Sequence, residues 1–399
     1  MILHSLEAQS ARVSAQLDAR PELGALWRRL VSVSEASANL SMEDVPVPEH
    51  DILMPDLGSA MTSGDPQAAR VAGAIHGFLL RPGNLLEAPG EVFDRAWQAG
   101  RLTSLAEDVE GGRVPQLTLA EKFEWDGARN DFEILARKVL RDDAPVLFRL
   151  LAFSGAVSQL LPERTPIMER LIFMAAESAM RRQDSLSDNT IGFKSRETDT
   201  RISAHWTLTP ALALSRGGFR AWSPVSDRGG QDLAERLMRS LKFNVGRLGQ
   251  IHKWMSGIEG FTGKTRKSRH RDLAQLILTC PIISADLAAT RLDITARAAR
   301  DLIDEAASRD LVQLMTPRRS YRLWAVPALA DMIRERPSTS KSRTFITPPD
   351  EEPPIEHTMQ NHNRHENEAA ILAASEELEK AMADADRILA RYRRDAATE

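Results

Sequence analysis

The sequence predicts a mainly α-helical protein with a winged helix in its C-terminal part. Apolar residues recur every three or four positions over most of the 399 residues, whereas alternating β-branched runs are scarce. Two short strand candidates, at 311–315 and 321–325, follow three helical segments. We therefore expect a helical N-terminal domain, a C-terminal winged helix-turn-helix with a small β-hairpin wing, then a linker and a terminal helix.

Composition argues against several classes of protein. The single cysteine, Cys280, excludes an internal disulfide framework and a zinc site built on thiolates. It also fits a reducing compartment, so we expect a cytoplasmic protein. The N-terminus lacks the pattern of a secretory signal, and the most apolar stretch, 145–161, is interrupted by Arg149. We expect neither secretion nor membrane spanning.

Charge is distributed unevenly along the chain. The formal net charge is −4, from 52 Lys and Arg against 56 Asp and Glu. Residues 241–343 nevertheless carry 19 basic and 10 acidic residues, whereas residues 350–399 carry 6 basic and 13 acidic ones. A basic block inside a mildly acidic protein indicates a polyanionic partner.

Residues 1–256 are predicted to form a helical domain of unknown role. Glycine and proline predict loops over 184–228, with Trp206 and Trp222 as core anchors. The last helix carries an apolar stripe from Leu233 to Met255, which predicts one buried face. The candidate helices are 5–19, 22–38, 66–81, 90–100, 117–142 in two pieces, 145–161, 166–183 and 229–256.

A basic joint is predicted at residues 257–271. Glycines make residues 257–263 a candidate flexible segment, and a domain boundary is expected there. The run that follows is dense in cations, which would release counterions from a duplex of any sequence. The candidate phosphate contacts in this run are Lys264, Arg266, Lys267, Arg269 and Arg271.

Residues 272–335 are predicted to form the winged helix-turn-helix. A first helix ends before Pro281, because proline cannot continue it. Ser284 is a favourable N-cap for a short second helix, and Thr295 is one for a third helix that runs to about Ser308.

The third predicted helix has an apolar face and a polar face. The residues expected to be buried are Ala298, Ala299, Leu302, Ile303 and Ala306. The opposite face has small residues near its start, which allow close approach, and two arginines one turn apart that can reach base edges together. Asp304 lies on the same face. The residues expected to face bases are Thr295, Ala296, Arg297, Arg300 and Asp301.

A basic hairpin follows the third helix. The two strand candidates are joined by a tip that carries Arg318 and Arg319. A helix followed by such a hairpin has the geometry of a winged helix. We expect these two arginines, together with Ser284 at the start of the second helix, to contact phosphates.

Three segments of this region resemble known families: ISADLAA (283–289), LDITARAARDL (292–302) and DLV (310–312). They resemble the terminal winged helix of many bacterial regulators, which is also appended to Fic-type proteins. The whole chain further resembles a family of plasmid-associated rhizobial proteins. Those proteins pair an uncharacterised helical N-terminal region with a C-terminal helix-turn-helix DNA-binding domain.

The resemblance implies binding of double-stranded DNA, in transcription regulation or plasmid maintenance. It places Thr295, Arg297 and Arg300 toward the groove and the two tip arginines in the wing. One departure is that Asp293 and Asp310 stand where the family pattern often has turn glycines. Because Asp tolerates the left-handed conformation better than most residues, we expect both turns to form.

No catalytic, cofactor or metal site is predicted, and we expect no enzyme. Residues 257–265 resemble a Walker A loop, but the glycine spacing is off by one and a helix precedes it. His357, His362 and His365 lack partners at a ligand spacing, and the Fic-type catalytic loop is missing. Two alternatives stay open: a protein adaptor that uses the winged helix for a partner, and an enzyme with an unrecognised site in residues 1–256.

The C-terminal tail is predicted to contain a linker and a helix. Proline-rich residues 336–365 have the composition of a disordered linker. Residues 366–394 repeat apolar positions three and four apart, as in a coiled coil, but alanine fills three of seven seam positions. This helix therefore either pairs with a second copy of itself and adds to another dimer interface, or packs against its own chain. A homodimer through it or through the N-terminal domain is left open.

Overall fold

The computed structural model describes residues 2–53, 66–101, 119–161, 166–184, 202–216, 222–224, 227–262, 269–315 and 322–334. Met1–Ile333 form one compact unit, and Arg334–Glu399 form a second. The predicted linker and terminal helix, at 336–394, lie outside the described residues. All that follows concerns the first unit.

Helices dominate this unit, as predicted. No helix among the described residues combines the length and the hydrophobicity that a membrane span requires. The helices that precede residue 263 are α1 (Ile2–Asp18), α2 (Pro21–Ser41), α3 (Glu49–Leu53), α4 (Pro66–Leu80), α5 (Pro89–Arg101), α6 (Leu119–Val139), α7 (Val146–Leu160), α8 (Pro166–Asp184), α9 (Pro210–Ser215) and α10 (Asp227–Thr262).

Helix α2 lies at the centre of the N-terminal part. It packs against α1, α3, α4, α9 and α10, and most of its side chains are buried. Its Trp27 is fully buried and donates from Nε1 to the carbonyl oxygen of Asn244 in α10, at 3.1 Å. A helix that is buried on almost every side needs neighbours all round, and this arrangement supplies them.

Two buried glutamates hold the segment between α8 and α10, most of which was predicted as loop. Glu177 of α8 accepts the backbone N–H groups of Thr207 and Leu208, at 3.1 and 3.0 Å. Glu35 of α2 accepts two consecutive N–H groups at the start of α9, at 2.7 and 2.9 Å. Buried backbone donors need partners, and these carboxylates provide them. Trp206, as predicted, is a fully buried anchor.

Helix α10 continues through the first half of the predicted flexible joint. Residues 257–262 are helical, so the flexible segment proposed for them is wrong. Ile258 and Phe261 are each only 5% exposed, and burial of these two side chains outweighs the cost of Gly257 and Gly260 within the helix. Residues 269–271 of the joint are also helical.

The C-terminal part of the unit is a winged helix with one more strand than predicted. Its sheet is antiparallel in the order β1-β3-β2, with Ile283 and Leu314 on either side of Trp324. The elements are α11 (Arg269–Thr279), β1 (Ile282–Ser284), α12 (Ala285–Leu292), α13 (Ala296–Ser308), β2 (Gln313–Leu314), β3 (Leu323–Ala325) and α14 (Pro327–Arg334). The expected mainly α-helical fold with a small hairpin wing is confirmed.

Candidate nucleic-acid interface

Both predicted N-caps form in the helix-turn-helix. The Oγ of Ser284 accepts the N–H of Leu287 at 3.0 Å, which starts α12. The Oγ1 of Thr295 accepts the N–H of Ala298 at 3.2 Å, which starts α13. Each hydroxyl satisfies a backbone donor that has no partner within its own helix. The two caps therefore fix where each helix begins.

Two aspartates occupy the left-handed turns on either side of α13. Asp293 has φ 51° and Asp310 has φ 57°, as expected from their positions in the sequence. The turn at Asp293 is closed by a 3.1 Å bond from the N–H of Ile294 to the carbonyl oxygen of Ala289. These turns set the entry and exit of α13, because few residues other than glycine and aspartate or asparagine adopt this conformation.

The apolar face of α13 is narrower than predicted. Ala299, Ile303 and Ala306 are fully buried, and Leu302 is half-buried. Ala298 is exposed, so its predicted burial is wrong. It lies at the edge of the stripe, about 100° around the helix from Ala299, where the neighbouring helices do not cover it.

The opposite face of α13 is open to solvent along its length. Neither Arg297 nor Arg300 has an ion-pair or hydrogen-bond partner among the described residues. Asp301 and Asp304 lie toward the middle of the helix, so the cations are concentrated in its N-terminal half. The five residues predicted to face bases are all exposed: Thr295, Ala296, Arg297, Arg300 and Asp301. Their contact with bases stays a prediction.

The predicted phosphate contacts have different surroundings. Arg271 is exposed, whereas Arg269 donates to the carbonyl oxygen of Leu292 at 2.9 Å and so braces the turn before α13. Ser284 is only 4% exposed and its hydroxyl caps α12, and its contact with a phosphate stays a prediction. The remaining candidates lie outside the described residues: Lys264, Arg266, Lys267, Arg318 and Arg319.

Two further cations border the helix-turn-helix and were not singled out from the sequence. Arg322 is exposed and directly precedes β3, at the base of the wing. Arg291 is exposed in the last turn of α12, next to the turn that leads into α13. Their positions relative to the predicted hairpin and turn could have identified them, because a cation beside a groove-binding helix is well placed for a phosphate.

The C-terminal end of α13 is anchored to its surroundings. Glu305 lies 2.8 Å from Nε2 of His270 in α11 and 2.7 Å from the guanidinium of Arg309. The hydrogen bond from His270 lowers the pKa of Glu305 and so favours its charged form. Beyond α13, Trp254 of α10 donates from Nε1 to the carbonyl oxygen of Leu311 at 2.8 Å.

Further contacts join the winged helix to the N-terminal part. The ring of Phe261 lies 4.8 Å from that of His270, and the guanidinium of Arg309 lies 5.2 Å from the same phenyl ring. Arg29 of α2 donates to the carbonyl oxygen of Thr279 at the end of α11. The N-terminal part therefore holds the winged helix at these contacts and leaves the N-terminal half of α13 uncovered.

No group of three or more His, Cys, Asp or Glu side chains among the described residues comes together in a way that could hold a metal ion.

Comparison with known proteins agrees with this geometry for the C-terminal part. No curated protein matches the chain. Residues 271–326 match a family model described as HTH DNA binding domain, and this range runs from α11 to the residue after β3. The chain thus carries an HTH DNA-binding domain at residues 271–326.

Proposed function

We propose that this protein reads a specific sequence in double-stranded DNA through α13 and acts as a transcriptional regulator or a plasmid-maintenance factor. One observation carries the proposal: in a segment that matches an HTH DNA-binding domain, Arg297 and Arg300 face solvent without partners among the described residues.

The chemistry of the exposed face suits a major groove. Ala296 adds little bulk at the start of α13, so the helix backbone can approach the base edges. A guanidinium can donate two parallel hydrogen bonds to O6 and N7 of guanine, worth about 1–3 kcal/mol of discrimination. Arg297 and Arg300 lie one turn apart and are suited to contact neighbouring base pairs. Arg271 and Arg322, both exposed nearby, are suited to phosphates.

Both proposed roles require a sequence to be read, and neither requires catalysis. The resemblance to plasmid-associated proteins with the same domain order supports plasmid maintenance. The resemblance to winged helices of bacterial regulators supports transcription regulation. We further propose that the protein is not an enzyme, which the lack of a catalytic motif in the sequence supports.

The first experiment measures duplex binding and its salt dependence. Fluorescence anisotropy with a labelled random duplex, at about 50 mM and about 200 mM salt, should show affinity falling by about a hundredfold or more for four or more phosphate contacts. Selection of bound genomic fragments should then recover a shared motif. Absence of salt-dependent binding, or fragments without a common motif, would contradict the proposal.

The same selection tests for a homodimer. A dimer that binds through two copies of α13 should recover an inverted repeat whose half-sites lie about one helical turn, or a multiple of it, apart. A single undivided motif would contradict a symmetric dimer on DNA.

The charge balance of α13 favours a protein adaptor as the second candidate. Asp301 and Asp304 are exposed on the same face as the two arginines and offset their charge. A mixed face of this kind can pair with a protein surface as well as with a duplex. An adaptor should bind no random duplex in a salt-dependent manner, so the anisotropy experiment separates the two candidates.

A further inference from the structure

An exposed aromatic side chain of α10 lies between two guanidinium groups. Phe243 is 43% exposed, which few large apolar side chains among the described residues share. The guanidinium carbon of Arg216, at the end of α9, lies 3.7 Å from its ring centroid, and that of Arg247 lies 4.5 Å away. These cation–π contacts hold both guanidinium groups over the ring, so the surface presents positive charge more than apolar area.

The same part of α10 has no acidic residue. Between Arg236 and Ile258 the sequence contains no Asp or Glu. Lys242 and Lys253 are exposed within this stretch, and neither has an ion-pair partner among the described residues. We call the group of Arg216, Lys242, Phe243, Arg247 and Lys253 the α10 basic surface.

One edge of this surface continues from the side of α10 that holds the winged helix, and Lys242 and Lys253 lie about 80–100° around the helix from Phe243. Phe243, Arg247, Trp254 and Phe261 follow one another at intervals of four and seven residues, which keeps them on one side of a helix. Trp254 and Phe261 contact the winged helix, whereas Phe243 is left exposed. Eleven residues separate Phe243 from Trp254, a distance of about 16 Å along the helix axis.

We propose that the α10 basic surface binds the phosphate backbone of the same duplex that α13 reads, on DNA that flanks the recognised site. This inference rests on the proposed function. Phosphates complement the surface because guanidinium and ammonium groups donate to them, and this stretch of α10 has no Asp or Glu to repel them. The surface belongs to the same compact unit as the winged helix. Binding of a duplex by the winged helix therefore fixes the position of that duplex relative to the surface.

The position of the α10 basic surface outside the winged helix guides the choice of DNA. Phe243 lies about 16 Å along the axis of α10 from Trp254, which contacts the winged helix, and this distance equals the rise of about five base pairs. A duplex that covers only the motif selected by α13, about 12 base pairs, should fall short of the α10 basic surface. A duplex of about 30 base pairs with the motif at its centre should reach it from either side.

The test uses the full-length chain with Lys242→Gln and Lys253→Gln combined. Both side chains are exposed, so the fold should be preserved. Anisotropy titrations compare the parent and this variant on the short and the long duplex over a range of salt concentrations. The matched control combines Arg70→Gln with Lys138→Gln, two exposed cations on α4 and α6.

We expect the variant to lose about tenfold in affinity for the long duplex and to lower its salt slope by about two, with little change on the short duplex. The control should match the parent on both. A different outcome is that the variant also binds the long duplex with the same affinity as the parent while Arg297→Ala weakens binding. In that case the proposed role of the α10 basic surface is wrong and the proposed function stands. If the parent binds neither duplex in a salt-dependent manner, both proposals are wrong.

Discussion

The indole Nε1 of Trp254 lies 2.8 Å from the carbonyl oxygen of Leu311, and this hydrogen bond joins the long helix α10 to the segment that leads into the wing. Leu311 also approaches Gly257 on the next turn of α10, where an added Cβ would lie 3.2 Å from a Leu311 methyl carbon. The winged helix is therefore packed on the N-terminal part through contacts beyond its own core.

Removing the indole donor should loosen this junction. Trp254→Phe keeps an aromatic ring but leaves the carbonyl oxygen of Leu311 without this donor, so we expect the free energy of unfolding to fall by about 1–2 kcal/mol. Urea denaturation measures it. An unchanged unfolding free energy would show that the hydrogen bond contributes nothing to the junction.

The cap of α13 gives a second prediction. Thr295→Ala removes the hydroxyl that accepts the N–H of Ala298, and it should lower the free energy of unfolding by about 1 kcal/mol. Thr295→Ser should restore most of that loss, because serine caps equally well. Thr290→Ala, within α12, is the matched control, since its hydroxyl donates to the carbonyl oxygen of Asp286 instead of accepting a backbone N–H at a helix start. Equal effects at the two positions would contradict the cap.

The turn before α13 gives a third prediction. Asp293 has φ 51°, so Asp293→Gly should leave stability within a few tenths of a kcal/mol, whereas Asp293→Val should cost about 1–2 kcal/mol or more. Thermal or urea unfolding of the two variants compares them directly. Similar stabilities for glycine and valine would mean that the left-handed conformation does not constrain this position.

The features predicted best from the sequence are those that depend on local chemistry. Ser284 and Thr295 cap their helices, and Asp293 and Asp310 adopt the left-handed conformation, because each device involves residues only a few positions apart. The exposed face of α13 follows from helical periodicity alone. The burial of Ser284 could not be predicted in this way, because it depends on strand β1.

The features that could not be predicted from the sequence depend on contacts between residues that are far apart in the chain. Strand β1 has three residues, and it forms because Ile283 pairs with Trp324, which lies 41 residues later. Helix α10 runs past Gly257 because Ile258 and Phe261 are buried against other elements. The carboxylate of Glu35 in α2 accepts the two N–H groups at the start of α9, and no residue near α9 in the sequence indicates these hydrogen bonds.

A buried histidine predicts a pH dependence of stability. Burial, together with the charges of Arg29 and Arg81, lowers the pKa of His76 to about 3. Its Nδ1 lies 2.9 Å from Oγ of Ser32. Since the unfolded chain takes up a proton near pH 6.5 and the folded one does not, His76 makes stability fall as pH drops from 6.5 toward 3. We expect a loss of about 2 kcal/mol between pH 6.5 and pH 5.

The pH dependence of the parent alone does not isolate the effect of His76, because the titration of a second buried group changes stability in the opposite direction. Burial raises the pKa of Glu35 to about 7, so its contribution to stability falls as pH rises from 4.5 toward 7. His76→Asn removes the titrating group and leaves a side chain that can form hydrogen bonds. The difference in unfolding free energy between parent and variant should grow with pH from 5 to 6.5 and be flat above 7. A difference that does not vary with pH would contradict the assignment.

The central claim is that α13 reads the sequence of a duplex, and Arg297→Ala tests it most directly. Affinities of parent and variant are measured by anisotropy on the selected motif and on random duplex. Arg297→Ala should cost about 1–3 kcal/mol on the motif and much less on random DNA. The matched control, Arg271→Ala, should weaken both duplexes equally and lower the salt slope by about one. Equal losses of Arg297→Ala on motif and random DNA, with the sequence preference unchanged, would contradict the account.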